Sequence, residues 1–444
     1  MADQAFVAVP ATVEFPSGNE GDWWALFLAR LQLLTSATKE RRYQGHFINI
    51  HSSTVKRLLG GGNKYRRRVD DLVDAGVVEI YKQNGRELYY DGKGRTPPGK
   101  QATEPFSKSY RLGAEHRTGK ARVIALHSKP ASKKAAIVRQ VDADNLGSAG
   151  CHFHRKGAHF LLKADTDHRS SCHWAAWTAS RWLTGDDFAK RCDHGRYHAL
   201  ITQTSRTLRQ HIRTDEDASL ALVDVSACQP VLLGLAAGSP TNGHPSTSRP
   251  NHILLNVASF SIRSRNEWRR KSPSDAQHWL ELSESRAIYD YFFDQIQEFD
   301  GQTLGLIRTP TRPIWRDLRS LSRKAFKRAT LIPMFDLIDA ALGNPIFQIT
   351  QRDFPTIAEY ILQTKKHRHQ KTATILQGIE SSLMIDGCGT SLLNEHPDEP
   401  VQPIHDALLC KTTFAPTAKS IIAEQFERIG LHPQIKIEPC EVTN

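Results

Sequence analysis

The chain has 444 residues, with 59 Lys and Arg against 47 Asp and Glu, a formal net charge of +12 and a pI near 9.4. That length calls for two or three domains, because a single core stops growing at roughly 250 to 300 residues, and so basic a balance points to a polyanionic partner, with nucleic acid favoured. Seven scattered cysteines without framework spacing argue against a secreted disulfide scaffold. No run approaches about 18 uninterrupted apolar residues, and the start MADQAFVAVP lacks a basic stretch followed by an apolar block. The expectation is a soluble, cytoplasmic protein with no membrane partner.

In chain order, Trp23 to Thr35 (WWALFLARLQLLT) carries apolar residues at helical spacing and predicts a helix. The stretch FINIHSSTVKRLLGGGNKYRRRVDDLVDAGVVEIYKQ predicts a short strand, a helix capped at Ser52 or Ser53, a Gly-rich turn, a second helix from about Lys64 to Ala75, and a strand from Val77. Gly76 is a good helix stop. After a basic loop, Ser107 to Leu112 (SKSYRL) reads as a returning strand. This order resembles a winged helix occupying residues 1–112, which implies a DNA-binding domain for an origin-like duplex site. The Lys64–Ala75 helix then carries Lys64, Arg66, Arg67 and Arg68 toward phosphates. The alternative is that the same basic run is a solvated face of a small interaction domain.

From Gly113 to Gly150 the chain is polar and Lys-rich (SKPASKKAA), the composition of a basic linker or mobile strap. Residues 151–444 would form the second domain. It opens on a segment rich in His, Cys and Trp, where Cys151, His154, Cys172, His173, Cys192 and His194 are candidate zinc ligands. None shows tight paired-ligand spacing, so structural zinc is not expected, and Trp174, Trp177 and Trp182, at helical spacing, read as core.

The central stretch begins at Leu220; from Leu222 it reads LVDVSACQPVLLGLAAGS and carries a single acid, Asp224, on a strand with a buried pattern. Ser226 and Gln229 lead from it into an apolar helix. Val401 to Cys410 (VQPIHDALLC) again sets one acid, Asp406, between apolar residues, in what reads as a short hairpin. Two carboxylates on adjacent central strands repel each other and are costly to desolvate unless a divalent cation sits between them. An oxygen-rich pair suits magnesium, which keeps much of its shell for water and substrate phosphates. The plainer alternative is that Asp224 caps the following helix and Asp406 sits in a turn.

Several segments in order, from about Arg191 to Ile437, resemble the polymerising half of family A DNA polymerases and the related single-subunit phage RNA polymerases. VDVSACQP is similar to the first acidic motif, with Asp224 as the metal-binding aspartate. PIHDALL is similar to the second, with His405 and Asp406 as the His-Asp pair. SLSRKAFKRATLIPMF resembles the fingers helix, which implies that Arg323 and Lys327 hold the triphosphate. DFPTIAEYI resembles the element after that helix, and TATILQGIESSLMIDG resembles the Gln-Gly helix beside the nascent base pair, placing Gln377 there. GRYHALITQTSRTLR is similar to the segment that tracks the primer-template duplex, carrying over Arg196 and Arg209. Gln229 stands where DNA polymerases of the family have a Glu that excludes ribose, and Ala407 follows the His-Asp pair in place of a polar residue.

The resemblance implies an α+β chain in which a winged helix precedes a compact palm-and-fingers domain, the palm an antiparallel sheet covered by helices. It implies DNA synthesis in the replication of a phage, plasmid or other mobile element, by phosphoryl transfer with two magnesium ions, on primer-template DNA and nucleoside triphosphates. No proofreading exonuclease is expected, because residues before Arg191 lack its acid-rich pattern. Open alternatives are a primase or RNA polymerase, and a non-catalytic winged-helix initiator or regulator.

Overall fold

The structure is a computed structural model that describes residues 5–37, 47–59, 64–83, 86–87, 89–90, 107–117, 120–128, 131, 140–141, 143–162, 173–185, 188–193, 195–238, 272–308, 313–335, 337–366 and 370–440. It is a mixed α+β chain with small antiparallel sheets. The chain divides into two compact units, the first made of residues 1–140, 162–188 and 203–211 and the second of the remainder.

In the first unit, strand β1 (Phe6–Pro10) is followed by helix α1 (Asn19–Ala37). Then come β2 (Ile48–His51), α2 (Ser52–Leu59), α3 (Lys64–Asp74), β3 (Val78–Ile80) and β4 (Ser107–Leu112). Strand β4 lies between β2 and β3, with Ile48 opposite Tyr110 and Val78 opposite Leu112. The apolar spacing of the helices closes one core: Phe27, Leu28 and Leu31 of α1 meet Val55, Leu59, Val69 and Leu72, and Phe27 packs edge-on to Tyr110 with ring centroids 5.4 Å apart. Helix α3 stops where Gly76 turns left-handed at φ 69°, a conformation a Cβ would strain. The backbone amides of Gly76 and Val77 then satisfy the helix-end carbonyls of Val73 and Leu72.

The span from Gly113 to Gly150, expected as a linker, is partly built into the fold. Strand β5 (Ala121–Ala125) pairs antiparallel with β1, Phe6 opposite Ala125. Just beyond it the amides of His127 and Ser128 both donate to the buried carboxylate of Asp22. The paired segment is the apolar part of the span, and burial of Ala121 and Leu126, with Val123 and Ile124 packed against the same clusters, offsets the entropy of ordering it. Most of the Lys-rich part, residues 129–130 and 132–139, lies outside the described residues. Helix α4 (His173–Thr184) carries Trp177 and Trp182 at the expected spacing, and Trp182 donates from Nε1 to Thr204 Oγ1 at 2.9 Å.

The second unit is organised on a four-stranded antiparallel sheet. Its strands are β6 (Leu220–Val225), β7 (Gln402–Ile404), β8 (Ala407–Lys411) and β9 (Ile435–Pro439), in the order β7-β8-β6-β9. Helix α5 (Cys228–Gly238) leaves β6 almost entirely buried. At Gly234 an added Cβ would come within 2.7 Å of Leu280, so only glycine admits helix α6 (Ser274–Glu284) that closely. Trp279 of α6 donates to the Pro230 carbonyl at 2.8 Å. Helices α7 (Ile288–Glu298), α8 (Arg323–Ala329), α9 (Pro355–Lys365) and α10 (Lys371–Ser381) follow, and a π-helical turn, Ser382–Gly387, extends α10. Helix α11 (Ala415–Glu427) packs across β6, β8 and β9. Among the described residues no helix is long and apolar enough to cross a membrane.

Candidate active site

Two acids that are far apart in sequence become neighbours through strand register. Along the β6–β8 ladder Asp224 stands opposite Ala407, and the Val225 amide donates to the carbonyl of Asp406 at 3.1 Å. Asp406 occupies the two-residue turn between β7 and β8, where His405 before it adopts φ 57° and is exposed. Left-handed backbone is uncommon for residues with a Cβ. Among the described residues it occurs at Asp217, Ala227, Arg286 and His405, and Ala227 lies three residues after Asp224. Such strain concentrates where geometry serves a site.

The electrostatics are those of a pair with too little internal compensation. Burial first, and then the charges of Asp406 and Glu438, push the Asp224 carboxyl up to about 7, against the pull of Lys327 and Lys436. Burial first, and then Glu380, push Asp406 to about 7 as well, against its own backbone hydrogen bond, Arg196 and Lys327. A hard divalent cation fits this donor set, because two carboxylate oxygens of excess negative charge are what magnesium takes from a protein while substrate phosphates complete its shell. Among the described residues no three His, Cys, Asp or Glu side chains gather into a metal-holding group. Of the sequence-based zinc candidates, Cys151 lies on the helix Ala143–Gly157 and Cys192 in the Arg191–Arg196 turn, while Cys172 and His194 fall outside the described residues.

Helix α8 starts at Ser322, whose side chain accepts from the Ala325 amide, and so sets Arg323 and Lys327 one turn apart on one face. Only Lys327 reaches the carboxylates' field. Burial and Arg286 lower its pKa, Asp224 and Asp406 raise it, and its Nζ lies 4.8 Å from the centre of the Tyr289 ring. Arg323 instead forms an exposed ion pair with Asp290 and lies 4.8 Å from the Phe293 ring centre.

Arg196 does not project freely. Its guanidinium lies 2.8 Å from Glu380 Oε1 and 3.1 Å from Oε2, and Glu380 is 2 % exposed. Gln229, in the first turn of α5, donates from Nε2 to the same carboxylate, leaving its Oε1 buried with no hydrogen-bond partner. Gln377 is half-buried on α10 one turn before Glu380. Arg196, Glu380, Ser381 and His405 line a small polar pocket beside the His-Asp turn. Arg209 belongs to the first unit.

The basic helix of the first unit divides in two. Lys64 and Arg67 are exposed and Arg66 leans on Tyr65. Arg68, expected to face phosphates with them, is buried: it pairs with Glu20 through two 2.6 Å hydrogen bonds and donates to the Leu59 carbonyl. The helix period turns Arg68 inward, and its guanidinium is consumed there.

The residues that sequence reading missed are Glu380, Tyr289 and Arg286. Glu380 had a legible signal, an acid on an otherwise apolar helix face in ILQGIESSLM. Tyr289 and Arg286 had none, since only the fold brings them beside Lys327. No protein-family model matches this chain, and no curated protein matches it in sequence.

Proposed function

We propose that this chain is a template-directed nucleotidyltransferase, a family A-like DNA polymerase without a proofreading exonuclease, serving replication of a phage, plasmid or other mobile element. The observation that supports the reading is the carboxylate pair: Asp224 on β6 lies beside Asp406 in the turn that leads into the neighbouring strand β8, both pushed toward neutrality by burial, with Lys327 in their field. In this reading the sheet is the palm and α8 belongs to the fingers. Asp224 and Asp406 would hold two magnesium ions, whose chemistry when bound is to neutralise charge on the attacking and leaving oxygens of an in-line phosphoryl transfer.

The chain's own residues bind and orient. Lys327 contributes positive charge to a triphosphate beside the carboxylates, and Arg323 adds a second once it exchanges Asp290 for phosphate oxygens. His405, at the exposed turn, and Arg196, beside the polar pocket, face the end of the primer strand. Gln377 lies against the nascent pair, and Gln229 occupies the space beside the sugar. In the first unit, the order β2-α2-α3-β3-β4 supports a winged helix, with Lys64, Arg66 and Arg67 set toward duplex phosphates.

Primer extension with dNTPs and NTPs on one primer-template tests the reading. Magnesium-dependent incorporation that favours dNTPs is expected. Preference for NTPs would move the chain to a primase or RNA polymerase, and no incorporation of either would leave a DNA-binding initiator or regulator.

A further inference from the structure

Glu380 is a buried acid that neither the carboxylate pair nor the triphosphate-facing helix accounts for. It lies in the last turn of α10, just before the π-helical turn; both of its oxygens accept from Arg196, and Oε2 accepts from Gln229 as well. Arg196 contacts it three times: Nε at 3.1 Å, and Nη2 at 2.8 and 3.1 Å. Arg196 is itself held in a tight turn, in which the Cys192 amide donates to the Arg196 carbonyl and Gly195 adopts φ 78°. A second pair braces the same turn, Arg191 donating to both oxygens of Asp386 at 2.7 and 3.0 Å. Glu380 is therefore fixed from one side by a cation that cannot leave without stranding a buried charge.

On its other side Glu380 takes the Gln229 amide nitrogen, and Gln229 Oε1 stays buried and unpartnered. A free glutamine would rotate to satisfy both ends of its amide. The Gln229 rotamer is the one that brings Nε2 to the carboxylate. If a triphosphate lies against Asp224, Asp406 and Lys327, its sugar, bonded to the first phosphate, falls beside the carboxylates rather than beyond Lys327. Gln229 stands close to that position: it lies in the first turn of α5, just after the strand that carries Asp224, and it is bonded to Glu380, which lines the polar pocket together with His405.

We propose that Glu380 is a positioning residue for sugar selection: it pins Gln229 as a rigid wall beside the nucleotide sugar, so exclusion of the ribose 2′-hydroxyl depends on the Glu380–Gln229 bond as well as on the bulk of Gln229. The inference rests on the polymerase reading above. A pinned side chain excludes by volume because it cannot swing aside, whereas an unpinned one of equal size yields to the larger sugar.

The test is single-nucleotide incorporation of dNTP against NTP by the full-length chain on one primer-template. Glu380→Ala is expected to lower the dNTP/NTP ratio roughly tenfold or more, while Glu380→Gln, whose amide oxygen can still accept from Gln229 although its NH2 cannot replace the acceptor that Arg196 loses, is expected to lower it less. Because Glu380→Ala leaves Arg196 without its buried partner, Gln229→Met supplies a second measurement: it keeps the length of the side chain and removes its bond to Glu380, and it should lower the ratio to a similar degree. A purely structural role would slow both nucleotides alike and leave the ratio where it was. Gln229→Met at the wild-type ratio overturns the pinning, whether or not Glu380→Ala folds. A wild-type chain that incorporates neither nucleotide removes the polymerase reading itself, a result distinct from incorporation with an unmoved ratio.

Discussion

Helix α3 of the first unit and the carboxylate sheet of the second handle charge in opposite ways. In α3 the one charge that turns inward, Arg68, is matched inside the fold by Glu20 and by the Leu59 carbonyl, and its neighbours Lys64 and Arg67 stay in water. At the sheet, Asp224 and Asp406 are half-buried beside further acids, and Lys327 and Lys436 offset them only in part. A buried charge that finds its partners inside the fold needs no ligand, whereas an uncompensated pair costs stability and persists where a ligand completes it. The second pattern marks a site.

Breaking that contrast at its strongest point gives the largest effect. Asp224→Asn or Asp406→Asn should lower nucleotide incorporation by about a thousandfold or more, the loss expected when one metal-holding oxygen is removed. Steady-state primer extension measures it, and near-normal extension by either variant would end the two-metal reading.

The same pair predicts how stability follows pH in metal-free protein. Both carboxyls titrate near 7 in the folded chain and near 4 when unfolded, so the folded state holds extra protons between those values. Stability should therefore fall as pH rises from about 4 through 7, by up to roughly 4 kcal/mol for each carboxyl, and remain low above that. Thermal unfolding in a chelator checks the sign. Magnesium should restore the loss at pH 8, and Asp406→Asn, free of the repulsion, should unfold at a higher temperature than wild type there. A metal-free chain that grows more stable from pH 5 to pH 8 contradicts the account.

Within α3 the comparison can be sharpened residue by residue. Arg68→Ala should lower unfolding stability by about 1 to 3 kcal/mol, since Glu20 and the Leu59 carbonyl lose their donor, and should leave salt-dependent DNA binding almost unchanged. Replacing Lys64, Arg66 and Arg67 by Ala should do the reverse, holding Tm while lowering the slope of log affinity against log salt by up to about 0.9 per lost duplex phosphate contact. Filter-binding titrations across a salt series separate the two, and equal slopes for all variants would remove the phosphate role. The smallest effect is at the helix stop: Gly76→Ala, at φ 69°, should cost about 1 kcal/mol in chemical denaturation without altering either activity.

Local elements were legible where local physics decides them. The α3 boundary is marked by Gly76, the β7–β8 hairpin by apolar runs around His405 and Asp406, and the helix after Asp224 by its unbroken apolar run. The stretch from Gly113 to Gly150 misled because its average polar composition hides the short apolar run Ala121–Leu126, which pairs with β1 more than a hundred residues away and buries Ala121 and Leu126. Arg68 misled because four basic residues in one run look alike until the helix period, and the place of Glu20, single one out.

The identities and order of Asp224, Gln229, Arg323, Lys327, His405 and Asp406, and the apolar periods that carry them, are written in the sequence, because spacing along a strand or helix is a local property. That Asp224 meets Asp406, that Lys327 rather than Arg323 enters their field, and that Glu380 gathers Arg196 and Gln229 depend on strand register and on helices crossing at glycines such as Gly234. Only tertiary packing could decide these, since burial and the distance between charges, which set both the titration of the carboxylates and the hold on Gln229, do not exist until the chain has closed on itself.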